Sequence, residues 1–96
     1  MSASNEISIG KAIEELLRQY KLDEKIDGIR IINAWEKVVG KLIVRHTTDL
    51  FVKNKILYVH LDSDVIRNEL SYARKKLIND LNQEAGKEII NEIVIR

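Results

Sequence analysis

A chain of 96 residues with 45% hydrophobic and 32% charged side chains has room for one domain around one modest core. It contains no cysteine, which excludes a disulfide framework, a thiolate metal site and a thiol nucleophile. The formal net charge of +1 hides an uneven distribution, because residues 37–76 hold nine Lys/Arg against four Asp/Glu and the flanking segments are both mildly acidic. A basic segment of that strength attracts phosphate through counterion release, and it serves equally as a solvated surface. The apolar runs are too short for a membrane helix. Residues 1–7 lack the basic and hydrophobic regions of a signal peptide, so a cytoplasmic location is the expectation.

Residues 1–8 read as a flexible lead-in, with Ser8 as the N-cap of a first helix. Ile9, Ala12, Ile13, Leu16, Leu17 and Tyr20 fall at helical spacing on one face, with Lys11, Glu14, Glu15 and Arg18 on the other. A second helix runs from Asp23 to Val39, with Ile29, Ile32, Trp35, Val38 and Val39 as its buried stripe. Gly28 weakens that helix by about 1 kcal/mol relative to alanine and marks a candidate break at residues 26–28. Gly40 ends it in the left-handed conformation that glycine adopts without steric cost.

From Lys41 to Lys53 apolar and polar residues alternate, which predicts a strand with Leu42, Val44, His46, Thr48, Leu50 and Val52 on the buried side. Ile56 to Asp62 alternates in the opposite phase, with Leu57, Val59 and Leu61 apolar. A two-residue turn at Asn54-Lys55 puts both apolar sets on one face, pairing Lys53 with Ile56 and Val52 with Leu57. The same register sets Phe51 opposite Tyr58 and Asp49 opposite His60 on the outer face.

Ser63 is the next N-cap, with Asp64 in the first turn against the helix dipole. Ile66, Leu70, Ala73, Leu77 and Leu81 predict one long helix to about Gln83, ended at Ala85-Gly86-Lys87. The β-branched run from Ile89 to Ile95 predicts a closing strand. The expected architecture is α+β in the order α-α-β-β-α-β, one domain over residues 9–96, with helices packed on one face of a three-stranded sheet. The third strand pairs either parallel to the second or antiparallel beside the first.

Catalytic chemistry is sparse. Two histidines build no zinc site without carboxylate help. His46 falls on the apolar strand face and is expected to bond to backbone. His60 opposite Asp49 has the arrangement of a hydrolase dyad, but no serine or cysteine stands beside it, and a cross-strand charge pair is the expectation. There is no Walker loop and no G-x-G-x-x-G. No enzyme activity, metal, cofactor or small-molecule substrate is expected. Trp35 is expected to pack in the core.

Binding residues are more plentiful. Lys37, Lys41 and Arg45 cluster around Gly40, Lys53 and Lys55 flank the hairpin tip, and Arg67, Arg74, Lys75 and Lys76 line the third helix. They read as contacts to a nucleic-acid backbone. Phe51 and Tyr58 either stack on bases, anchor a protein partner, or are covered by the first helix or by a second copy of the chain.

Across residues 9–96 the chain resembles the DciA-like family of bacterial proteins. The resemblance rests on Trp35, Val38, Val39 and Gly40, on Ile43 and His46-Thr47, and on Leu57-Tyr58-Val59 and Ser63. It continues through Glu69-Leu70, Leu81-Asn82 and Ile93-Val94-Ile95-Arg96. It implies a KH-like fold and a role in loading or operating the DnaB-type replicative helicase, with weak DNA binding alongside. Members of that family often carry a further flexible basic extension. The chain has no Gly-x-x-Gly phosphate clamp of the kind true KH domains use. The expected function is therefore a helicase adaptor that touches its partner through the hairpin and third-helix surface. The alternative is a stand-alone RNA- or DNA-binding domain.

Overall fold

The computed structural model describes residues 2–96, with side chains described from residue 9 onward. The described residues form five helices and a three-stranded mixed sheet: α1 (Ser2–Gln19), α2 (Leu22–Val39), α3 (Lys41–Arg45), β1 (Thr47–Lys53), β2 (Ile56–Leu61), α4 (Asp64–Ser71), α5 (Arg74–Ala85) and β3 (Glu92–Ile95). The sheet order is β1-β2-β3, with β1 antiparallel and β3 parallel to β2. The fold is thus α+β in the predicted order, and the open question of the third strand is settled as parallel pairing with the second.

The hairpin register follows the sequence pattern. Lys53 pairs with Ile56, Val52 with Leu57, Phe51 with Tyr58 and Asp49 with His60. Asn54 and Lys55 both take positive φ, 53° and 63°, as a primed two-residue turn requires. This turn twists with the strands and so fixes their register.

The inner sheet face packs Leu57, Val59, Leu61 and Ile93 against Ile31, Ala34 and Trp35 of α2 and Leu70, Leu77 and Leu81 of the later helices. Ser63 caps α4 by accepting from the Ile66 N–H. Gly86 closes α5 at φ 83°, with Lys87 N–H donating to Asn82 O and Gly86 N–H to Gln83 O, the paired bonds of a Schellman ending.

Several expectations need correction. α1 already runs from Ser2, so Ser8 is not its N-cap, and the side chain of Ser8 lies outside the described residues. α2 is unbroken at Gly28, which is buried because α2 passes close to β1 there; a Cβ on Gly28 would lie 3.6 Å from that of Val52. Its buried stripe is Gly28, Ile31, Ala34 and Trp35, whereas Ile29 and Ile32 are 56% and 39% exposed. Gly40 takes positive φ (87°) but an extended ψ (169°), a region essentially reserved for glycine rather than the left-handed helical one.

That backbone lets a second helix start at once. Lys41–Arg45 is therefore the short helix α3, and the strand begins only at Thr47. The predicted long third helix is two helices, interrupted at Tyr72 and Ala73, whose N–H groups donate three residues back to Glu69 O and Leu70 O. Such tightened bonds turn the chain without proline or glycine. The closing strand is four residues long, because Ile89 and Ile90 are buried in the loop before it.

Candidate interaction surface

Strand alternation sends Phe51, Lys53, Tyr58, His60, Val94 and Arg96 to the sheet face away from the helices. Among the described residues no helix covers this face: Phe51 is 36% exposed, and Lys53, His60 and Arg96 are exposed beside it. Across it runs an ordered row. The Phe51 and Tyr58 rings stack with centroids 4.8 Å apart and planes 13° from parallel. The Arg96 guanidinium carbon lies 5.2 Å from the Tyr58 centroid, within cation–π range.

Backbone bonds hold Arg96 in place, since its N–H donates to Val59 O and its carbonyl accepts from Leu61 N–H. The sequence reading found Phe51 and Tyr58 but missed Arg96 as their neighbour. Its position depends on the parallel register of β3, which the sequence left open.

A β-bulge shapes the other end of the hairpin. Thr47 pairs with Leu61 while Asp49 pairs with His60, so Thr48 is the extra residue. The bulge reverses the alternation, and Thr47 rather than Thr48 faces the core. There Thr47 Oγ1 accepts from Trp35 Nε1–H at 3.1 Å and donates to Ile43 O at 2.7 Å. One threonine thus ties α2, α3 and β1 together behind Gly40. Trp35 is buried, as expected of a core residue.

The two histidines do not behave as predicted. His46 caps α3, and its Nδ1–H donates to Asp62 Oδ1 at 2.7 Å rather than to backbone. Asp62 N–H donates back to His46 O, so the pair clasps the start of β1 to the end of β2. Among the described residues His60 forms neither the expected charge pair nor a dyad with Asp49: Thr48 Oγ1 lies 2.9 Å from His60 Nδ1, and Asp49 accepts from the Leu50 N–H instead. Among the described residues no group of His, Asp and Glu is arranged to hold a metal ion.

The basic residues do not form one patch. Lys41 and Arg45 are exposed on α3, and Lys53 and Lys55 are exposed at the hairpin tip, one strand length or about 20 Å away. Arg74 and Lys75 are exposed in the first turn of α5. Among the described residues none of these six is in an ion pair. Lys37 meets Glu84 at 3.5 Å beside a shallow depression between α2 and α5, and Lys76 meets Asp80 at 2.8 Å. Arg67 is turned inward, bonding Leu61 O and the Asp64 carboxylate, and so locks the start of α4 to the end of β2.

The structure is a small α+β domain with one sheet face buried under helices and the other bearing an aromatic–guanidinium row. The chain belongs to the family described as Dna[CI] antecedent, DciA, whose model matches residues 8–95. It is also similar to a UPF0232 protein of Corynebacterium glutamicum (strain R), 25% identical over 88 residues, which make up 92% of this chain and 49% of that protein. The chain therefore spans about half the length of this curated relative. Among the described residues no helix is long and apolar enough to cross a membrane.

Proposed function

We propose that the chain is a non-enzymatic adaptor of the DnaB-type replicative helicase in bacterial DNA replication, with weak nucleic-acid binding alongside. The observation that carries this reading is membership, over residues 8–95, of a family described as an antecedent of Dna[CI]. The open sheet face supplies the chemistry for the partner contact. Phe51 and Tyr58 present rigid aromatic area at low entropy cost, and Arg96 adds a guanidinium held against Tyr58. Nucleic acid meets the exposed cations Lys41, Arg45, Lys53, Lys55, Arg74 and Lys75, with Lys37 free to exchange Glu84 for a phosphate. Arg67 serves the fold instead.

Co-purification of the chain with its host's DnaB-type helicase tests the proposal, and failure to associate at micromolar concentrations contradicts it. The exposed, unpaired cations favour one alternative, a stand-alone RNA- or DNA-binding domain. That reading requires tight binding without the helicase and an affinity that falls steeply with salt.

A further inference from the structure

α1 carries an apolar face that the domain itself leaves open. Ile9, Ile13, Leu16 and Tyr20 are 59%, 53%, 50% and 66% exposed. They follow one another at spacings of four, three and four residues, the seam of a two-helix pair. Ala12 and the half-buried Leu17 flank them. These six residues are self-complementary under reversal about the point between Glu14 and Glu15: Ile9 exchanges with Tyr20, Ala12 with Leu17 and Ile13 with Leu16. An isologous two-fold contact between antiparallel helices demands that property of each partner.

Charge points the same way. Lys11, Glu14, Glu15 and Arg18 occupy the opposite side of α1 and cancel, with Arg18 and Glu15 paired at 3.0 Å. With Glu6 counted, α1 carries a net charge of only −1, so two copies meet little repulsion, and a helix without excess positive charge offers little to a polyanion or to an anionic membrane. We propose that α1 is a dimerisation helix that pairs antiparallel with α1 of a second copy of this chain. This inference is independent of the helicase reading.

The seam offers roughly 500 Å² of apolar side chain per copy, so two copies bury on the order of 1,000 Å², the lower end for a specific interface. Leu22, Ile26 and Ile29 extend the apolar surface onto α2, where they lie opposite the core-facing Ile31 and Trp35 and are 39%, 41% and 56% exposed. An association of that size is concentration-dependent in the micromolar range.

Sedimentation equilibrium of the chain over a wide concentration series should show the mass rising from 11.1 kDa toward twice that value. Leu16→Asp, at an exposed position, should hold it at 11.1 kDa with an unchanged circular dichroism spectrum. The chain has no cysteine, so disulfides report orientation directly. Ile9→Cys mixed with Tyr20→Cys should cross-link two chains. Ile9→Cys alone should not, because antiparallel pairing leaves those positions about 16 Å apart along the axis. A monomer at every concentration, a mass beyond two copies, or cross-linking of Ile9→Cys with itself would each overturn the proposal.

Discussion

Trp35 and Thr47 lie on different elements, and the indole Nε1–H of the first donates to the hydroxyl of the second at 3.1 Å. The contact exists because the bulge at Thr48 turns Thr47 toward the core, where Thr47 also donates to Ile43 O. Replacing Thr47 by valine keeps the shape and removes the acceptor, leaving a part-buried N–H without its partner. The expected loss is about 1–3 kcal/mol in urea unfolding, whereas Thr47→Ser should restore most of it.

The two glycines of the α2 region should respond in opposite senses to alanine. At Gly28 the new Cβ meets Val52 at an ordinary contact distance of 3.6 Å inside a regular helix. Gly28→Ala should therefore stabilise the domain by about 0.5–1 kcal/mol. At Gly40, with φ 87° and ψ 169°, alanine is strained whatever the space, and a loss of about 1–3 kcal/mol is expected. Paired denaturation curves check both signs at once.

Asn82 is the hinge pin of the closing strand. Its Oδ1 accepts from the Ile89 and Ile90 N–H groups, both at 3.0 Å, and its Nδ2–H donates to Ile90 O at 2.8 Å. Asn82→Ala strands these groups around two buried isoleucines and should cost about 2–4 kcal/mol. Hydrogen exchange should accelerate first at Ile89, Ile90 and β3, since these are the amides Asn82 organises.

Lys55 separates charge from stability. It sits at φ 63° in a turn that prefers glycine at this position, and its charge is exposed. Lys55→Gly should raise the unfolding free energy by about 1 kcal/mol. It should also lower nucleic-acid affinity and reduce the salt slope by about 1. A variant that binds unchanged across salt concentrations removes Lys55 from the contact.

How much of this was legible follows from which residues carry unambiguous patterns. The hairpin was readable to the register because opposite-phase alternation and Asn54-Lys55 admit one pairing. Lys41–Arg45 was misread because Leu42-Ile43-Val44 satisfies helix and strand periodicity alike, and only the backbone at Gly40 decides between them. α2 carries apolar residues on two opposite faces, so periodicity alone did not reveal that Ile31 rather than Ile29 faces the core. The break between α4 and α5 carries no proline or glycine; Ser71 Oγ–H donates to Asn68 O beside it, a local bond with no distinct sequence signal. The aromatic pair of the candidate surface was legible through strand alternation. Its Arg96 neighbour was not, because that contact is fixed by a crossover of thirty residues between β2 and β3.

Titrating the purified DnaB-type helicase of the host with the labelled chain, beside Phe51→Ala and Tyr58→Ala, tests the central claim most directly. The account expects micromolar association for the native chain and a loss on the order of tenfold or more for each variant, with circular dichroism showing that replacement of the exposed Phe51 or the half-buried Tyr58 leaves the fold intact. Absence of association, or association equally strong in both variants, contradicts it.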